Sequence, residues 1–467
     1  MTSWHLEALA TAAPVPYWLD RAEAPQAAAR LVGAQDADLL IIGAGFTGLW
    51  AAIQALEDDP SRDVVVLEGD RVGWGATGRN GGFCEASITH GEENGRTRWP
   101  DEYPTLHRLA ADSYAGLKAT LDRHGIDCAF EETGVIAVAR EEHEIGWLTD
   151  RPVAEAEAGD EVVWLDRDAM RAEVDSPTYL GGLWLKSGRA LVDPARLALG
   201  LRRVAVELGA RLYEHSAVTR LSDDGSAVLA EAALGHVRAR RCVLATNAYP
   251  PLLRRIGAYV VPVYDYVLVT EPLGTAERAA IGWRNRQGLA DCTNQFHYYR
   301  QTDDGRILWG GYDAVYHWRN GFGPGYEQRA ATHELLARQF FETFPQLAGT
   351  VRFSHRWGGA IDTCSRFSVF FGTAHDGKTA YAAGYTGLGV GATRFGARVA
   401  LDHADGRETE ATRTAFVRTK PIPFPPEPLR YAGITLTRHE LARADRNAGR
   451  RGLWLRALDR VGLGFDS

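Results

Sequence analysis

At 467 residues the chain exceeds the roughly 250 to 300 residues beyond which one core tends to split, so two or three domains are expected. Its 45% hydrophobic, 24% charged and 10% aromatic residues are those of an ordinary globular protein, and no stretch reaches the ~18 apolar residues a membrane span needs. A net charge of −8 leaves no basic footprint for nucleic acid, and the five scattered cysteines (Cys84, Cys128, Cys242, Cys292, Cys364) form no CxxC pair, which argues against a disulfide framework or a metal site. Met1 to Ala10 carries Glu7 and no basic run ahead of an apolar stretch, so no secretory signal is read and a cytoplasmic setting is expected.

Residues 1–36 read as a lead-in that packs Tyr17 and Trp18 against the body of the protein. From Ala37 the run Asp-Leu-Leu-Ile-Ile predicts a strand buried on both faces of a parallel sheet. Gly43, Gly45 and Gly48 follow at once, then a helix from Phe46 and Thr47, then a second strand from Asp63 to Glu68 and Gly69. A GxGxxG alone is weak, but between a strand and a helix it is a dinucleotide site. The first glycine allows the tight turn, the second lets backbone approach a pyrophosphate, and the third lets helix and strand pack closely. The helix N-terminus offers N–H groups and positive potential to the phosphates. Glu68 is expected to accept hydrogen bonds from ribose hydroxyls and to repel a 2′-phosphate, which favours FAD or NAD over NADP. A second glycine-rich stretch, Gly73 to Gly82, has no use in an NAD dehydrogenase at that place, whereas an extended cofactor such as FAD needs two cradles.

Residues 103–187 mix helical stretches such as Leu106 to His124 with short strands such as Gly134 to Ala139, and lack βαβ alternation. A helix returns at Asp193 to Ala210, and strands are predicted at Arg211 to Leu221 and Val237 to Thr246, around a turn at Asp223 to Ser226. Val260 to Thr270, Gln295 to Gln301 and Arg306 to Gly311 read as antiparallel strands, and Lys378 to Gly384 as a strand that leads through a glycine turn into a helix ending near Leu401. The expected fold is α/β. A discontinuous Rossmann-like cofactor domain (37–102, 188–250, 357–407) carries an inserted antiparallel-sheet α+β substrate domain (103–187, 251–356). Residues 408–467 form a proline-rich linker from Pro421 and an arginine-rich helical tail. In that tail Leu453, Trp454, Leu458 and Val461 form an apolar stripe, suited either to the protein's own body or to an anionic membrane surface.

In this order the motifs resemble the D-amino acid oxidase/glycine oxidase/sarcosine oxidase superfamily of flavoproteins, with the fold of the glutathione-reductase type. The matching positions are Arg71, Ala76, Thr77, Gly78, Arg79, Asn80, Gly81 and Gly82, then Asp193-Pro194, Val218, Thr246 and Asn247, and finally Gly384, Tyr385, Thr386, Gly387, Leu388 and Gly389. The resemblance implies that these residues hold FAD, with the Thr386 to Gly389 backbone at the flavin's pyrimidine end. The forms Gly78 to Gly82, Trp357-Gly-Gly359 and Leu268 to Leu273 look most like γ-glutamylputrescine oxidoreductases and their bacterial relatives. The implied chemistry is oxidation of a C–N bond of a small-molecule amine, primary or secondary. Hydride passes from the α carbon to flavin N5, the imine is hydrolysed, and the electrons go on to O2 or a carrier.

Departures from the family pattern narrow this expectation. Members acting on amino acids carry an arginine just after the tryptophan matching Trp357, where this chain has Gly358, Gly359, Ala360 and Ile361, leaving Arg300, Arg356 or Arg366 to replace it. Asn80 stands where other members tether flavin through histidine, and Gly359 near where sarcosine oxidase does so through cysteine, so non-covalent FAD is expected. For catalysis the sequence points to His90, Trp357 and the run Phe296-His-Tyr-Tyr-Arg300, of which either His297 and Tyr299 or Tyr298 and Arg300 face the flavin. The alternatives are an N-methyl or D-amino acid oxidase or dehydrogenase, an NAD(P)H-dependent FAD monooxygenase, and a flavin-binding protein without catalysis. A monooxygenase is expected to carry a late Gly-Asp motif where this chain has Gly384-Tyr385.

Overall fold

The computed structural model describes residues 4–21, 23, 25–149, 160–460, 462 and 463. Two sheets organise the chain. The strand Gly33–Ile42 lies inside an eight-stranded sheet, flanked in parallel by Val64–Leu67 and Gly235–Leu244, with Arg211–Tyr213 and Thr379–Ala383 extending the parallel set outward. Its unbroken apolar run has a physical cause, since alternate residues enter different cores. Leu39 and Ile41 pack with Leu49, Ile53 and Val399 on the helical side. Leu40 and Ile42 pack with Val65, Val228 and Val237 on the other. The helices Phe46–Asp58 and Gly389–Ala404 lie side by side in the first of these cores.

The second sheet has nine strands, centred on Val261–Thr270, Ile307–Gly311, His297–Gln301 and Gly288–Asp291. All its pairings are antiparallel except that of Gly288–Asp291 with Val135–Ala139. One face is filled by Tyr299, Trp309, Trp283 and Phe344, covered by the helix Ala330–Thr343. The other face looks toward the cofactor sheet.

Three boundaries differ from the sequence reading. The helix Tyr103–His124 was expected in the substrate domain, but Leu106, Ala110, Leu117 and Leu121 enter the core of the parallel sheet. The strand Phe353–Thr363 runs across the expected boundary at 357 and pairs along its length with Val261–Thr270, so Trp357 to Thr363 also belong to the substrate sheet. Arg211 to Leu221 is two strands, Arg211–Tyr213 and Val218–Asp223, separated where His215 takes a positive φ of 51°. The lead-in packs as expected: Tyr17 and Trp18 are buried, and the Ala13 N–H donates to Ser354 O at 2.8 Å. No helix among the described residues is long and apolar enough to cross a membrane.

Gly48 shows how closely the first helix approaches its strand, because a Cβ there would collide with the carbonyl oxygen of Gly43, which is backbone and cannot swing away. Gly48→Ala is expected to lower stability by about 2 kcal/mol or more, read from the urea midpoint. Gly146→Ala, in open space on an exposed helix, is the control and is expected to stabilise by up to about 1 kcal/mol.

Candidate active site

Between the two sheets lies one cavity of about 1460 Å³, larger than the ~300 to 1,000 Å³ usual for one small ligand. At one end the wall is built by Gly43, Gly45, Phe46, Thr47, Glu68, Gly69, Val218, Thr246 and Asn247. The helix Phe46–Asp58 begins at Gly45 with no side-chain cap, leaving N–H groups at its start for an anion. The two glycine stretches meet there. Thr77 Oγ1 accepts the Phe46 N–H at 3.2 Å, and a Cβ on Gly45 would stand 2.9 Å from the same oxygen. Glu68 pins the turn it faces, its Oε2 accepting the Ala44 N–H at 2.7 Å and its Oε1 the Asp70 N–H at 3.0 Å. Burial pushes this carboxyl above its usual range.

At the other end Thr386, Gly387, Leu388 and Gly389 line the cavity, and the helix Gly389–Ala404 starts there without a side-chain cap. Asp362 holds this turn. It accepts the Gly384 N–H at 2.7 Å and lies against the N–H groups of Tyr385 and Thr386, while burial raises its carboxyl to about 6. Between the two ends run Ala76, Thr77, Arg79, Asn80 and Gly81. Asn80 locks this loop, its amide donating to Ala76 O and Thr77 O at 3.1 and 2.8 Å and its oxygen accepting the Gly82 N–H at 2.8 Å. The walls therefore form an extended cradle for a dinucleotide, with an open helix start at each end. Gly48, Gly78, Gly82 and Gly384 do not line the cavity but make the close packing that shapes it, as where a Cβ on Gly384 would meet Cys364 Sγ at 2.9 Å. Arg71 is a correction: it is exposed and lies off the cavity, so the contact expected of it is not in the geometry.

The parity of the Phe296 to Arg300 strand is resolved. Tyr298 and Arg300 face the cofactor loop, with the Tyr298 ring so close that a Cβ on Gly81 would lie 2.5 Å from it. Tyr299, expected at the reaction centre, is instead buried in the substrate-sheet core, its hydroxyl 2.9 Å from that of Tyr179. His297 shares that side, bonded to Asp291 at 2.6 Å and Gln339 at 3.0 Å and stacked on Trp309. Arg300 is buried and donates to Val192 O at 2.6 Å and Gly82 O at 3.3 Å, so it fixes the loop. Trp357 is the third correction, after Arg71 and Tyr299. It is fully buried behind the loop, its indole donating to Arg79 O at 2.9 Å, and supports the wall without reaching the cavity.

His90 does line the cavity, and its Nδ1 is buried without a hydrogen-bond partner. Burial lowers its pKa to about 4, so the ring is neutral at pH 7. Arg79 is committed to Glu327 at 2.8 Å and to Trp74 O at 2.9 Å. Sequence reasoning missed Asp265, whose carboxylate accepts the Tyr298 hydroxyl and looks into the same space.

The tail was also missed as a part of the site. Ile434, Leu441, Trp454, Leu458 and Leu463 from the C-terminal segment line the cavity, so of the expected stripe Trp454 and Leu458 face the protein's own body, while Leu453 is 86% exposed and Val461 lies outside the described residues. The helix Leu429–Asp445 is fastened at its end by Asp445, which accepts the Asn294 and Gln295 N–H groups at 3.0 Å each. Midway, Arg438 pairs with Asp313 at 2.8 Å. Asp445→Ala leaves both N–H groups unpaired and is expected to speed proteolytic trimming of the tail roughly tenfold, followed by mass spectrometry.

A family model described as FAD dependent oxidoreductase matches residues 38–402. Gamma-glutamylputrescine oxidoreductase of Escherichia coli strain K12 is 32% identical over 400 residues, 83% of this chain and 88% of that protein. The β subunit of sarcosine oxidase from Rhodobacter capsulatus is 23% identical over 355 residues, 73% of this chain and 78% of that one. Among solved structures, glycine oxidase from Geobacillus kaustophilus shares the fold with a TM-score of 0.69 at 20% identity, covering 83% of this chain and 100% of its own. The family match runs from the first parallel strand through both glycine stretches and the substrate sheet to the helix at Gly389, and the chain belongs to the DAO family of FAD-dependent oxidoreductases, enzymes acting on CH–NH donors.

Proposed function

We propose that the protein oxidises the C–N bond of a primary or secondary amine, γ-glutamylputrescine or another amine of that kind, with FAD held non-covalently in the cradle described above. One observation carries this reading over an amino acid oxidase: among the described residues, no arginine on the cavity wall is left unpaired to clamp an α-carboxylate. Arg300, Arg356 and Arg366 lie off its wall, and Arg366 is spent on the carbonyls of Ser368, Phe416 and Thr419. The arginines that do line it already have partners: Arg79 with Glu327, Arg438 with Asp313, and Arg430 with Asn320 Oδ1 and Pro425 O, each at 3.0 Å. A wall whose arginines are already paired, in place of a bidentate clamp, removes much of the binding energy available to a free amino acid.

The bound flavin supplies the hydride acceptor. The chain's own residues orient the amine and keep water out. His90 presents a neutral ring on the cavity wall, since burial lowers its pKa to about 4, and Tyr298 walls the cavity beside the Gly81 backbone. The N–H groups at the start of the helix Gly389–Ala404 favour negative charge on a group placed there. Gly359 puts no nucleophile at that position of the strand, and the Cys364 thiol, raised by burial, lies against the Ser368 and Gly384 carbonyls at 3.2 and 3.4 Å, which supports non-covalent binding.

Anaerobic mixing of the holoenzyme with primary and secondary amines, without NAD(P)H, is expected to bleach the flavin absorbance; a broad panel that leaves it unchanged would sink the proposal. Glu68→Ala strips the acceptor from two backbone N–H groups at the turn. Its expected effect is a rise of at least roughly tenfold in the FAD dissociation constant, measured by flavin fluorescence on dilution.

A further inference from the structure

Asp265 lies on the strand Val261–Thr270 directly opposite Gly359, on the face that meets the cofactor loop: a Cβ on Gly359 would stand 3.2 Å from Arg79 Cβ. The absent side chain at Gly359 leaves the carboxylate open to the cavity it lines. Its partners are all neutral. Oδ2 accepts the Tyr298 hydroxyl, Oδ1 accepts the Tyr266 N–H at 2.9 Å, and the Gly311 N–H faces the group. Among the described residues no arginine or lysine forms an ion pair with it, and His297, the histidine whose charge would act on it, is tied to Asp291 and Gln339 on the opposite face of its own strand. A carboxylate withdrawn from water without a counter-charge is costly, and a cation arriving with a ligand removes that cost.

We propose that Asp265 is the ammonium-binding group of this cavity, and that its ligands are protonated amines with no carboxylate on the amine-bearing carbon. Burial raises the Asp265 carboxyl to about 6, so it still carries its charge at neutral pH. The Tyr298 hydroxyl, held protonated by burial and by Asp265, orients one oxygen and leaves lone pairs on the carboxylate for an N–H donor. A Cβ on Gly81 or on Gly310 would stand 2.5 Å from the Tyr298 ring, so the ring is packed against both backbones and its hydroxyl is held on Asp265. A second carboxylate on the ligand, next to the ammonium, would meet Asp265 with no cation to offset it. The assignment rests on the amine reading above and deepens it, since it names the charge and the substitution of the amine end as it binds; the bound ammonium passes one proton to the Asp265 carboxylate before hydride leaves its α carbon, which frees the nitrogen lone pair to form the imine.

Three near-isosteric probes test it without turnover, because none has a hydrogen on the carbon beside nitrogen or in place of it: tert-butylammonium, pivalate and 2-aminoisobutyrate. Each is titrated into the holoenzyme at pH 7.5, read by the flavin difference spectrum and by the melting temperature. Tert-butylammonium is expected to bind at least tenfold tighter than either of the others. Asp265→Asn is expected to weaken it at least tenfold at unchanged FAD content, and Asp265→Glu to restore part of the loss. Equal binding by Asp265→Asn, or a preference of the unsubstituted enzyme for pivalate or 2-aminoisobutyrate, overturns the proposal. If Asp265→Asn fails to retain FAD, the preference among the three probes decides alone. Failure of the amine-oxidation reading looks different: the ammonium probe binds through Asp265 while no oxidisable amine bleaches the flavin.

Discussion

Between Arg79 and Gly82 the cofactor loop has almost no side-chain volume to spare, because the substrate sheet rests directly on its backbone. Tyr298 occupies the space a side chain at Gly81 would need, and Arg300 with the Val192 carbonyl fills that at Gly82. Trp18 and Trp357 donate their indoles to Asn80 O and Arg79 O from behind, at 2.9 Å each. Backbone carbonyls that would otherwise be orphaned between the sheets thus find donors on rigid aromatic or guanidinium groups. The cavity exists because this joint fixes how far apart the two sheets stand. Its shape follows from steric exclusion at two glycines more than from any single attraction.

Three buried carboxylates are distributed along this frame with different amounts of unused hydrogen-bonding capacity. Asp362 spends its acceptors on the turn that begins the helix Gly389–Ala404. Glu68 spends one oxygen on each of two N–H groups at the first turn but still borders the cavity. Asp265 is the least committed to backbone, with a tyrosine hydroxyl as its principal partner. Desolvation raises all three, and what separates a structural clamp from a binding group is where the remaining lone pairs point.

The cofactor end was legible in the sequence for a definite reason. Close backbone approach demands glycine at fixed spacing after an apolar strand, so Gly43, Gly45 and Gly81 carry their geometry in their identity. The substrate end has no such signature. Tyr298 and Tyr299 are adjacent tyrosines, and only the strand's register tells which enters the cavity and which enters the core. Asp265 reads as a polar residue in an alternating strand until the pairing with Gly359 and the hydroxyl of Tyr298, 33 residues away, show it to be desolvated. The expected boundaries failed for a related reason. The helix Tyr103–His124 and the strand Phe353–Thr363 are each local in sequence, but which sheet they join is set by long-range packing that no local pattern records.

The part of the cavity wall supplied by Ile434, Leu441, Trp454 and Leu458 comes from beyond residue 402, where the family match stops. The cavity is therefore assembled from separate stretches of chain, the tail being fastened to the rest by Asp445, by Arg438, by Arg430 on Asn320 and by Glu427, which accepts the Tyr316 hydroxyl at 2.6 Å. Exchange of the terminal helices would reshape that part of the wall while leaving in place the glycines Gly43, Gly45 and Gly81 that shape the cofactor cradle.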